Sequence, residues 1–342
     1  MADHLLALPP LEGVLDAARS VADPIVRYQL AARFGGQADV DLAPLRAEVA
    51  AAPAVEAALR SQHADGSWGS DGDARRRVLA TLWMTKTLAE LGLDDTHLDW
   101  HRAAEFLAAH SHTDQEALSL DGARGGVLSC YVGIAGETYL LGGRPDLARA
   151  QVDWIVRYQD VRTGGGARRR EPAETWDEHL RTRYGGCLSD TTCLIGLVKT
   201  GRALAAWDRH EPDARARELV SAMREVYLER RLMHRSDGGI VPIGVFNGAP
   251  DRWLEPTFPL DWHTDLIEVL DFVARSGPPD PRMQPAIDRL VSLRLPDGSW
   301  PLRHSYRPPE LPATERRSKR SGSPMITLRA AAALAACGAP VS

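Results

Sequence analysis

The chain has 342 residues, 25% of them charged, and a formal net charge of −5. That length holds a sizeable core, and the mild acidic balance gives no whole-molecule field favouring nucleic acid or an anionic membrane, although a local basic patch stays compatible with it. Four cysteines, Cys130, Cys187, Cys193 and Cys337, are too sparse for a disulfide framework, and no apolar run reaches the roughly 18 residues of an integral membrane segment. The opening MADHLLALPPLEGVLD lacks the basic, apolar and small-residue succession of a signal peptide, so a cytoplasmic protein with reduced thiols is expected.

In chain order, a helix is expected at 11–20, then an alanine-rich apolar helix at 23–35 and a one-sided, charged helix at 43–62. The alternation continues with apolar helices at 75–92, 125–142 and 186–206, each followed by a one-sided partner, at 98–110, 145–159 and 212–233. It ends with an apolar helix at 258–275, a one-sided helix at 280–294 and a last apolar helix at 323–338. A helix apolar all round must be buried, whereas a one-sided helix forms an outer wall. Six apolar helices with six outer partners, counting 11–20, predict an all-α (α/α)6 toroid, a double ring of helical hairpins with 1–342 as a single domain. An open solenoid needs polar end repeats, and the final SPMITLRAAAALAACG is too apolar to cap one.

Two segments repeat. QHADGSW at 62–68 and RLPDGSW at 294–300 each follow an outer helix. Asp-Gly supplies a tight turn, and the tryptophan is then placed to pack back on the helix end, locking one hairpin to the next. This repeat resembles the QW motif of squalene and hopene cyclases, shared in form with protein prenyltransferase β-subunits, with Arg294 replacing glutamine in the second copy. Further segments, DPIVRYQLAARF at 23–34, TTCLIGLVKTGRAL at 191–204 and FPLDWHTDLIEVLDFVA at 258–274, are similar to small stand-alone bacterial members of that toroid superfamily. The resemblance implies a toroid and says little of the reaction.

Cyclases that protonate an alkene carry a DxDD motif; the nearest stretch, Cys187-Leu-Ser189-Asp190-Thr191-Thr192, keeps one aspartate and has Ser189 at the usual donor position. Asp190 is therefore either a lone acid or a helix cap. The run Asp94-Asp95-Thr-His97-Leu-Asp99 superficially resembles a diphosphate and magnesium motif, but sits where an outer helix begins and reads as capping. More informative are the polar residues that begin apolar helices: Cys130, Asp190 with Cys193, and His263 with Asp265. Asp190, His263 and Asp265 are the candidate catalytic groups.

Cys130, Cys193 and His263 are ligand types that suit zinc with an open position. LSCYVGIAG and WHTD resemble the Cys and His ligand segments of prenyltransferase β-subunits, with Leu128 where their aspartate falls. CYVGIAG and CLIG are similar to lanthionine cyclase segments, with an extra residue in the first and Leu194 replacing histidine in the second. Those cysteines serve equally as small core fillers.

Aromatic residues on or before the apolar helices, Trp83, Tyr131, Tyr139, Trp253, Phe258 and Trp262, are candidates to line a cavity and stabilise cationic intermediates. Arg124 and Arg317, within a wider arginine set, are candidates to meet a diphosphate or carboxylate. The expected function is an enzyme that cyclises or transfers an isoprenoid or other apolar small molecule. The alternatives are a zinc-thiolate enzyme resembling lanthionine cyclases, a non-catalytic toroidal binding protein, and carbohydrate processing, for which Asp190, Asp261 and Asp265 lack a diagnostic spacing.

Overall fold

The computed structural model describes residues 6–11, 13–35, 41–70, 72–112, 117–123, 126–159, 161, 193–243, 249 and 251–341. Its regular structure is helical: among the described residues there are only isolated bridges and no strand. The helices are α1 (Val14–Arg19), α2 (Pro24–Phe34), α3 (Ala43–Ala50), α4 (Pro53–Arg60), α5 (Ala74–Leu91), α6 (Leu98–Ser111), α7 (Ser129–Leu141) and α8 (Pro145–Tyr158). They continue with α9 (Leu194–His210), α10 (Ala214–Glu229), α11 (Leu266–Arg275), α12 (Gln284–Ser292) and α13 (Pro324–Ala336). No described helix is long and apolar enough to cross a membrane.

Several starts have a local cause. Asp23 accepts from Ile25 and Val26 N–H with Pro24 behind it, Asp73 accepts from Arg76, and Ser323 accepts from Ile326 with Pro324 at the first turn. Gly92, at a φ of 122°, ends α5 by donating to Leu88 and Ala89 carbonyls. Burial follows the expected alternation in α7 and α8 but not in α2, which was expected to be apolar all round and buries only Ile25, Val26 and Gln29. In α7 nearly every side chain from Ser129 to Tyr139 is buried, while α8 buries one face through Ala148, Val152, Trp154 and Ile155.

Two expected helices are corrected. The span 43–62 breaks into α3 and α4 at Pro53, which lacks the N–H that a continuous helix needs. The span 258–275 begins only at Leu266, because Pro256 and Pro259 hold the residues before them extended and Asp265 caps the helix that starts at Leu266. His263 therefore lies in a loop before the helix.

The chain forms two compact units. Unit 1 comprises Met1–Glu56, Tyr227–Arg307 and Pro312–Ser342; unit 2 comprises Ala57–Val226 and Pro308–Leu311. In unit 1, α13 packs on α11, α2 and α1, and α12 packs on α11. In unit 2, α7 is the central element, packed on α5, α8 and α9. Its approach to α9 is set by glycine: a Cβ on Gly133 would stand 2.5 Å from the backbone of Lys199 and Thr200. An Arg202–Glu137 pair, with nitrogen–oxygen distances of 2.6 and 3.0 Å, ties the same two helices.

Both DGSW segments fold alike. Asp65 Oδ1 accepts from Ser67 N and Oγ at 3.1 and 2.7 Å, and Asp297 Oδ1 accepts from Ser299 N and Oγ at 3.0 and 2.6 Å. Trp68 Nε1 donates to Ala58 O at 2.9 Å, and Trp300 Nε1 donates to Leu290 O at 2.8 Å. The tryptophan backbone N–H groups donate to Thr81 and Thr327 hydroxyls on the following helices, both at 3.0 Å. Arg294 takes the part of Gln62: each donates to the carbonyl of its turn glycine, Gly298 at 2.8 Å and Gly66 at 2.9 Å.

Candidate functional site

Among the described residues, a group of acid, imidazole and aromatic side chains lies in unit 1, ahead of α11. A short 3-10 turn, Arg252–Leu254, buries Trp253, whose Nε1 donates to Val241 O at 2.8 Å. Beyond it, residues 256–259 run beside 303–306. Arg303 N donates to Pro256 O, Phe258 N to His304 O and Tyr306 N to Pro259 O, at 3.0, 3.1 and 3.0 Å. Side chains two apart on an extended segment share a face, so His304 and Tyr306 come to the same side.

His263 sits between two rings. Its centroid is 3.7 Å from Tyr306 at an interplanar angle of 6°, and 4.0 Å from Trp262 at 26°. Two near-parallel neighbours at such distances occupy opposite faces of the imidazole. Asp261 fixes the ring in its plane: Oδ1 accepts the His263 backbone N–H at 2.8 Å and also bonds Nδ1. A carboxylate acceptor there puts the proton of the neutral ring on Nδ1.

A second acid and imidazole pair adjoins this stack. His304 Nε2 bonds Glu255 Oε2 at 2.6 Å, and His304 Nδ1 lies 3.4 Å from Arg252 Nη2. Arg252 can only donate, so Nδ1 accepts and Nε2–H donates to Glu255. Burial pushes the His304 pKa down, Glu255 opposes that, and Arg252 and Arg317 add to it. Burial likewise raises the Tyr306 phenol, with Arg252 opposing and Asp261 reinforcing. Arg252 thus stands against the His304 ring.

Asp265 has a different part. It is 0% exposed, and its oxygens accept from Glu268 N at 2.8 Å and Thr257 N at 2.9 Å. Both also meet Arg329, at 3.1 Å each. Asp265 caps α11 and anchors the 256–259 segment to α13, holding the floor on which His263 stands. Phe258 is buried against Arg329, whose guanidinium carbon is 6.0 Å from the ring centroid.

Other expected site residues fall in unit 2. Trp83 meets Tyr131 edge to face at 5.3 Å. Tyr139 is fully buried, 6.4 Å from His112, and its hydroxyl has no partner among the described residues. Cys130 is buried, while Cys193 caps α9 with its sulfur, accepting from Gly196 N–H at 3.2 Å. Among the described residues, no group of three or more His, Cys, Asp or Glu side chains is arranged to hold a metal ion. Asp190 and Arg124 lie outside the described residues. Sequence reading missed Arg252, Glu255, His304 and Tyr306. Their one signal was proline at 256 and 259, which forces extended backbone ahead of α11 and opens it to a partner segment.

No protein-family model matches the chain, and no curated protein does. Among solved structures, a variant of the type II terpene cyclase MstE from Scytonema, in complex with its substrate geranylgeranyl dihydroxybenzoate, is 12% identical over 86% of this chain and 97% of its own, with a TM-score of 0.34. An unsaturated glucuronyl hydrolase specific for heparin is 11% identical over 95% and 94%, with a TM-score of 0.44. The cellobiose 2-epimerase of Spirochaeta thermophila is 13% identical over 88% and 99%, with a TM-score of 0.36.

Proposed function

We propose that this chain is an α/α-toroid enzyme acting by proton transfer on an apolar, isoprenoid-like substrate, with the Asp261–His263 pair as its acid–base group. The observation that carries the reading is His263 held between the Trp262 and Tyr306 rings with Nδ1 committed to Asp261. That arrangement leaves proton exchange to Nε2, and the carboxylate stabilises the imidazolium when it forms. Aromatic faces beside the ring suit an apolar chain and any cation developing on it. Asp265 supports the loop, and Arg252 and Arg317 bring positive charge to the rim. Asp190 stays a second candidate acid.

The test has two parts. Organic extracts of the purified protein are examined for a co-purifying apolar species, and linear polyprenyl alcohols and diphosphates are offered as substrates. His263→Gln and Asp261→Asn are expected to lower turnover by roughly 10²–10⁴-fold at unchanged melting temperature, the usual worth of a positioned acid or base. Full turnover by His263→Gln, or no binding of any apolar compound, would sink the proposal.

A further inference from the structure

The segment 312–322, PATERRSKRSG, concentrates the positive charge of unit 1. Arg316, Arg317, Lys319 and Arg320 are all exposed, and among the described residues none of the four makes an ion pair. The only acid in the segment, Glu315, is turned inward: its oxygens accept from the Ser323 hydroxyl and, at 2.8 Å, from Met325 N–H at the start of α13. Backbone bonds hold the segment in place. Ser318 N donates to Leu302 O at 2.9 Å, Ser323 N donates to Trp300 O at 2.8 Å, and Ser318 Oγ accepts from Arg320 and Ser321 N–H at 3.0 Å each. Four cations are thus presented together on an anchored loop in a chain whose net charge is −5.

We infer that this loop docks the protein on an anionic phospholipid surface, with the His263 site beside the contact. Charge complementarity supports it: each exposed cation near such a surface adds about a fivefold gain in partitioning. At an ionic strength of about 0.1 M the screening length is about 10 Å, so charge on distant parts of the chain weighs little at the contact. The Ser318 N–H to Leu302 O bond ties the loop to the site, since Leu302 lies two residues before His304. The choice of a lipid surface over an acidic protein rests on the apolar substrate proposed above, since such a compound resides in membranes and reaches a site opened against one.

The full chain is sedimented with vesicles of phosphatidylcholine alone and of phosphatidylcholine mixed with phosphatidylglycerol, from about 0.1 M salt upward and without substrate. Binding to the mixed vesicles only, weakening as salt rises, is the expected result. The variant Arg316→Gln/Lys319→Gln/Arg320→Gln, which keeps Arg317 and is checked for an unchanged melting curve, should bind about a hundredfold less. His263→Gln should bind vesicles as the native chain does, so loss of turnover and loss of docking are read separately. Equal binding to both vesicle types, or native-like binding by the triple variant, overturns the inference. So does capture of polyglutamate without vesicle binding, which would assign the loop to an acidic protein.

Discussion

Asp265 and His263 are two residues apart and differ in what surrounds them. Asp265 is wholly enclosed, with backbone N–H groups on both oxygens and Arg329 across them. Removing one member of such a pair strands the other charge, so Asp265→Ala should cost on the order of 3–5 kcal/mol in denaturant unfolding. The double variant Asp265→Asn/Arg329→Met should lose less than Asp265→Ala alone; equal or greater loss would mean that the pair is not what anchors the segment. His112 offers a pH test in unit 2. Burial takes its pKa from 6.5 down to about 4, so the neutral ring, accepting from Gln151 at 3.4 Å, is the folded form. The unfolded chain binds the proton first as pH falls, so stability present above about pH 6.5 should decline towards pH 4 by on the order of 3 kcal/mol. His112→Gln should flatten that part of the profile; an unchanged slope would assign it to other groups.

At the scale of elements, glycine and tryptophan set the spacing. Gly133→Ala would place a methyl against the α9 backbone, where nothing can rotate away, and should destabilise by about 1–3 kcal/mol or force α7 and α9 apart. A neutral result in thermal melts would show that the two helices have slack. Arg294→Gln should be nearly silent, within about 0.5 kcal/mol, because Gln62 makes the equivalent bond to its own turn glycine. The repeat was legible because it is local: Asp, Gly, Ser and Trp within four residues make the turn, and the helix just before it supplies the tryptophan's acceptor. Thr81 and Thr327 escaped notice, since they lie 13 and 27 residues beyond their tryptophans and share no fixed offset.

For the whole molecule, the apolar-substrate reading predicts ligand linkage. A compound bound only by the folded chain raises its stability by about 2.7 kcal/mol at a hundred times its dissociation constant. A matching polyprenyl compound should therefore raise the melting temperature of the native chain and of His263→Gln alike, because the variant keeps the aromatic neighbours. No rise in either protein would argue against the substrate class.

The amino-acid sequence by itself determined the all-α class, the contrast between the buried α7 and the one-sided α8 and the paired DGSW turns, since periodicity, capping and turn chemistry act over a few residues. It also singled out His263, as one of the polar residues expected to begin an apolar helix, although the helix starts only at Leu266. What only the tertiary structure decided is the company that residue keeps. Tyr306 reaches the imidazole because the 303–306 segment lies along 256–259, and His304 finds Glu255 across 49 residues of chain. Such encounters depend on how distant segments share a core, and no local pattern encodes them.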